Sequence, residues 1–237
     1  LSQVWKDLLF AHWQVPAPAI QTLLPAGLHV ECFEGAAWLG IVPFELVIRH
    51  RCAPPLPSAA RFPEINVRTY VTDGRRSGVW FFSLDAASRI AVWAARRFFE
   101  LPYFMAQMKI ERDPRGVIYH SSRRPGKAQF QGSYGPIDPP RTAVAGTLDH
   151  FLTERYCLYS ANRAGELFRA DVHHAPWQLS GAWAKIQQNS MTEPIGIPLS
   201  GEPVLHYAQA TQVVSWPLRR VAAAEPAAIP SPAPAIG

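Results

Sequence analysis

In the run EINVRTYV, residues 64–71, a carboxylate, an amide and a guanidinium stand at alternate positions as Glu64, Asn66 and Arg68. A strand sends alternate side chains to one face about 6–7 Å apart, so the three share a row, with Ile65, Val67 and Thr69 on the other face. Such a row can line a polar cavity, where the groups satisfy one another around a ligand. It can equally be a solvent-facing row, common in antiparallel sheets. The next run, GVWFFSLDA, puts Ser83 and Asp85 in phase with Val79 and Phe81 and would add a polar end to the cavity.

His173 and His174 are adjacent in ADVHHAPW. Neighbouring strand residues face opposite ways, so one of the pair can join a pocket, and His173 is the candidate ligand contact. The competing reading is a hydrogen-bonded histidine packed by Trp177. His150 and His206 complete no metal-ligand spacing, so neither a metal nor another cofactor is expected. Nucleophile and phosphate-cradling motifs are absent: there is no G-x-S-x-G and no glycine-rich loop. An amine nucleophile has only Lys6, Lys109, Lys127 and Lys185 to draw on.

Composition narrows the classes further. A chain of 237 residues, 48% hydrophobic, can bury one sizeable core without staples. Its net charge of +5 comes from scattered arginine pairs and not from a basic stripe. An anionic small molecule is therefore a better partner than nucleic acid. Cys32, Cys52 and Cys157 are widely spaced and odd in number, which fits reduced thiols. No uninterrupted apolar window suits a membrane helix and no secretory signal pattern opens the chain, so the expectation is a cytoplasmic protein. An exposed outer sheet would pair into a homodimer.

These side chains need a strand-rich scaffold. Periodicity predicts a first strand in LLFAHWQV, a helix from Ala17 to Leu24, and a hairpin about Glu34-Gly35. It predicts a proline-rich loop in RHRCAPPLPSAARFP, then strands INVRTYV and GVWFFSLDA joined at Asp73-Gly74. Ser88 caps a helix with Ile90, Trp93 or Ala94, and Arg97 along one side, ended by Pro102 near Leu101. YFMAQMKIERD, GVIYHSSRR, AQFQGSY, GELFRADVHHAPW and TQVVSWPL read as further strands, with a helix or turn in LDHFLTERYCLYS. Residues 1–220 form one domain, mainly β with a few short helices, and 221–237 an Ala/Pro-rich flexible tail.

The strings LLFAHWQV, LLPAGLHVECFEGAAWLGIVPF, FPEINVRTYV, GVWFFSLDA, ARRFFELPYFMAQM, LTERYCLY and VHHAPW resemble the signature segments of the uncharacterised bacterial YqjF-like family. That family is domain of unknown function 2071, similar at superfamily level to acetoacetate decarboxylase. The resemblance runs from about Trp5 to Trp216. It implies a bent antiparallel sheet closing into a cone-shaped barrel around a cavity. It also sets Glu64 against the cavity glutamate of the decarboxylases, and Arg96 or Arg97 against the arginine upstream of their lysine motif. Leu101-Pro102 stands where that motif's aromatic and proline stand, but Tyr103-Phe104 replaces the lysine pair.

Decarboxylation through an iminium needs a neutral amine at that place, and tyrosine cannot supply it. Lys109 lies about 20 Å further along an extended segment, too far to substitute. The expected function is a cavity for a small carboxylate or carbonyl compound that is not an acetoacetate decarboxylase. Asn66, Arg68, Arg97 and His173 are its expected ligand contacts. If it catalyses a reaction, of lyase, hydrolase or isomerase type by analogy, Glu64 is the acid or base and Tyr103 the hydrogen-bond donor. A non-catalytic structural or interaction protein remains the other class.

Overall fold

The computed structural model describes residues 1–49 and 61–221. The proline-rich loop across 50–60, with Cys52, and the tail from 222 onward lie outside the described residues. The strands are β1 Ser2–Val15, β2 His29–Val30, β3 Cys32–Phe33, β4 Ala36–Arg49, β5 Arg61–Thr72, β6 Ser77–Ala86 and β7 Tyr103–Asp113. They continue as β8 Gly116–Arg123, β9 Gln129–Pro136, β10 Cys157–Ala161, β11 Leu167–His174, β12 Ser180–Asn189, β13 Val204–Ser215 and β14 Arg219–Arg220. Helices are α1 Ala17–Gln21, α2 Arg89–Phe99 and α3 Leu148–Thr153.

Pairing carries one sheet back onto itself twice. The path β6-β7-β8-β9-β12-β13-β1-β4-β5 returns to β6, which makes one ring. A second ring runs β13-β1-β4-β5-β6-β10-β11 and closes where β11 pairs β13. Of the strands common to both rings, β4 and β5 are therefore buried on both faces over most of their length. Leu9, Ala11, Ile41, Ile65 and Val67 point into the first ring, where Tyr119, Phe130 and Tyr134 fill the interior. The opposite faces of these strands look into the second ring. This explains why β5 is buried almost throughout and excludes a solvent-facing row at Glu64.

The β6–β10 contact of the second ring demands a glycine. A Cβ on Gly78 would lie 2.6 Å from Cys157 Sγ and 2.8 Å from its carbonyl oxygen, so any larger residue would push β6 off β10.

Several boundaries differ from the sequence expectation. α1 stops at Gln21, short of Leu24, and α2 stops at Phe99, with Glu100 in the left-handed region at φ 48°. α2 also sits rotated relative to the expected face. Val92 is buried and Ala91, Ala95 and Phe99 turn inward, while Trp93 and Arg97 face out. β12 was not expected at all, although it bridges β9 and β13 and so completes the first ring. No described helix is long and apolar enough to cross a membrane.

Candidate functional site

A cavity of about 410 Å³ occupies the second ring. Its walls are mostly apolar: Trp5, Leu46, Phe62, Val79, Phe81, Leu84 and Trp177 contribute, and α2 covers it with Ala91, Ala94, Ala95 and Phe99. Glu64, Asn66 and Arg68 all line it from β5, as strand alternation requires.

The neighbouring strand breaks the expected phase. Val67 pairs Ser83 but Arg68 pairs Phe81, so Phe82 is an extra residue in a β-bulge. Val79 and Phe81 therefore face the cavity, and beyond the bulge Leu84 takes that side. Ser83 and Asp85, expected at a polar end, turn instead into the packed ring. There Asp85, fully buried, holds Arg123 at 2.5 and 2.9 Å. Arg123 also stacks 3.9 Å from the centre of the Phe104 ring.

Tyr103 enters the cavity from β7, placed there because the first residue of β7 pairs in parallel with Leu84. Its hydroxyl donates to Glu64 Oε2 at 2.9 Å. No cation pairs with Glu64 among the described residues. Burial pushes its carboxyl up to about 8, the negative Asp85 behind the strand adds to the rise, and the Tyr103 hydrogen bond opposes it. At neutral pH the carboxyl therefore keeps its proton and offers an O–H to the cavity. Burial and the neighbouring Glu64 carboxyl push the Tyr103 phenol well above its ordinary value, so it too remains protonated.

Arg68 is buried under the opposite conditions. It has no carboxylate within ion-pair reach among the described residues. One Nη2 donates to the Leu152 carbonyl at 3.1 Å and approaches the Tyr70 hydroxyl at 3.5 Å. The guanidinium also lies over the Phe10 ring at 5.4 Å. Its Nε has no partner, and neither has Asn66 Oδ1. The other buried arginine at the cavity, Arg155, is neutralised by Glu31 at 2.7 Å. Among the described residues the positive charge left uncompensated at the cavity is thus that of Arg68.

Support behind Arg68 is fixed by proton count. The Leu152 carbonyl can only accept, so the single proton of Tyr70 goes to it at 2.6 Å. His12 Nε2, 2.6 Å from the same oxygen, must then carry a hydrogen. That is a neutral imidazole, and burial together with the nearby Arg68 charge pushes the His12 pKa well down.

Two sequence expectations fail here. Arg97 is exposed on α2 and lies over Phe98, whereas Arg96 is the residue tied to the site, its Nε donating to the Tyr103 carbonyl at 2.6 Å. His173 is exposed on β11, and His174 is the buried neighbour that lines the cavity. His174 bonds the Ala175 carbonyl at 2.9 Å and packs 5.0 Å from Trp177. Its behaviour is that of the hydrogen-bonded, tryptophan-packed histidine. Tyr70 also belongs to this row, one step beyond the 64-66-68 alternation. Arg155 and His12 left no local signal, because their place depends on strands far apart in the chain.

No lysine lines the cavity. Lys109 is exposed on β7 beside Glu111. A wider groove of about 780 Å³ beside β12 is lined by Trp13, Glu193 and Glu202 among others, and none of its lining residues has an orphaned buried polar atom.

The DUF2071 family model, described as an uncharacterized conserved protein, matches residues 2–212. Uncharacterized protein YqjF of Bacillus subtilis is 45% identical over 223 residues, covering 93% of this chain and 92% of that protein. Among solved structures, the enduracididine biosynthesis enzyme MppR complexed with pyruvate superposes with a TM-score of 0.68 at 12% identity, covering 92% of this chain and 89% of that one. Acetoacetate decarboxylase from Legionella pneumophila gives 0.63 at 10% identity, covering 93% and 87%. An acetoacetate decarboxylase-like enzyme from Sphingomonas wittichii RW1 gives 0.61 at 16% identity, covering 93% and 92%. At such identities these three report on the fold, which is the bent, mostly β architecture expected from the resemblance.

Proposed function

The chain belongs to the DUF2071 family, and from that premise and the geometry above we propose that its cavity binds a small organic acid or carbonyl compound without forming a Schiff base. The observation that carries the proposal is Arg68, a buried guanidinium lining the cavity with no carboxylate within ion-pair reach among the described residues. An unpaired buried charge is costly, and an anionic ligand is the economical remedy. MppR, which shares the fold, was crystallised with pyruvate, a compound of this class. Attack by a lysine is left out of the proposal because the described cavity walls offer carboxyl, amide, phenol and guanidinium groups but no lysine.

Glu64 favours a second, catalytic reading. A carboxyl that holds its proton to about pH 8 beside a phenol is suited to protonating or polarising a bound carbonyl. Lyase, hydrolase and isomerase chemistry all use such a step.

Calorimetric titration with pyruvate and acetoacetate tests the binding reading. Arg68→Met should weaken binding about tenfold to a hundredfold, the worth of a charge-assisted hydrogen bond. Equal affinity in the variant would overturn it. Borohydride added to the protein with either acid should leave its mass unchanged, whereas a reduced adduct would restore Schiff-base chemistry.

A further inference from the structure

The polar groups of the cavity form two stations instead of one cluster. Glu64 and Arg68 are four residues apart on one strand, about 13 Å of backbone. Their side chains do not converge: Tyr103 holds Glu64, while the Arg68 guanidinium bonds Leu152 and Tyr70, the latter two positions further from Glu64. A three- or four-carbon acid seated on Arg68 leaves most of this length empty. Apart from the Asn66 amide, the intervening wall is apolar, with Phe81 and Leu84 opposite Arg68 and Asn66 on the paired strand and Trp177 lining the same cavity. Its volume of about 410 Å³ is that of roughly fourteen water-sized groups at about 30 Å³ each.

We propose that the cavity takes an elongated amphiphilic monocarboxylate, its carboxylate at Arg68 and an apolar body of roughly six to ten carbons lying along Phe81 and Leu84 toward Glu64. This rests on the reading of Arg68 as an anion site and adds the length and polarity of what the site holds. An apolar wall of this extent rewards each methylene taken from water, and Arg68 rewards the charge at one end.

The test uses Trp5 and Trp177, which line the cavity, as fluorescent reporters. Straight-chain carboxylates of three to twelve carbons are titrated beside pyruvate, acetoacetate and 1-octanol. Affinity should rise about fourfold per methylene and level off between eight and ten carbons, with 1-octanol at least tenfold weaker than octanoate. Ala95→Phe, which fills the cavity from α2, should move the levelling point to shorter chains. Pyruvate or acetoacetate binding as tightly as octanoate would overturn the elongated ligand while leaving the organic-acid reading intact. Equal binding of 1-octanol and octanoate, or no binding by any acid, would overturn both. An unmoved levelling point in Ala95→Phe would overturn the placement of the apolar body.

Discussion

Glu64 and Arg68 sit on one strand and meet burial in opposite ways, and the contrast explains what each contributes. A guanidinium cannot shed its charge, so Arg68 remains cationic and leans on a carbonyl, a phenol and a ring face. A carboxyl can take up a proton, and Glu64 does so up to about pH 8. The sign of the consequence is fixed. Between about pH 4.5 and 8 the folded chain keeps a proton that the unfolded chain releases, so folding stability falls as pH rises across that window. The fall amounts to about 5 kcal/mol at most. Glu64→Gln keeps a neutral acceptor for Tyr103 and removes this slope, so the variant should gain on the native protein from pH 5 to pH 8 in urea midpoints. Parallel curves would mean that Glu64 is ionised throughout. Tyr103→Phe should move the Glu64 titration further up, because the Tyr103 hydrogen bond is what holds it down, and carboxyl carbon shifts in NMR would follow it.

At the scale of elements, α2 is the piece that closes the cavity, and its start is set by one cap. Ser88 accepts from the Ala91 amide at 3.3 Å. Ser88→Ala should cost about 1 kcal/mol in urea denaturation, with a matching loss of ligand affinity if the helix must be in place to bind. Unchanged stability would show that packing of Val92 alone secures the helix. The cap and the alternation of β5 were legible in sequence because both are local patterns. The face of α2 was not, since Ile90 and Trp93 carry the apolar signal yet are largely exposed, while Val92 and alanines take the inward positions. The bulge at Phe82 left no local mark either. It inverts the facing of Ser83 and Asp85, and only the pairing partner reveals it. His173 and His174 could not be separated for the same reason: parity identifies alternation, but the phase comes from neighbouring strands. β12 leaves little sequence signal because SGAWAKIQQN alternates weakly and is only half buried.

For the whole molecule, ring closure is the property that no window of sequence contains, since it joins β1 to β13, β6 to β10 and β9 to β12 across long separations. Resemblance to a family supplied the architecture, and the two rings give it mechanical meaning. One ring is filled by Tyr119, Phe130 and Tyr134, each almost wholly buried, whereas the other holds a cavity where its core would be. Amides in β8 and β9 should therefore exchange only on global unfolding, while those in α2, β10 and β11 should exchange through smaller openings, since opening that side gives up less buried apolar surface. A carboxylate at a hundredfold excess over its Kd should slow α2, β10 and β11 about a hundredfold, because their opening destroys the site. The turn at 113–116, which joins β7 to β8 and lines no part of the cavity, should open without disturbing the site and keep its rate. Hydrogen-exchange mass spectrometry on these peptides reads both effects at once. Equal protection of the two rings in the free protein would contradict a weakened cavity side, and uniform slowing that included the 113–116 turn would place the ligand elsewhere.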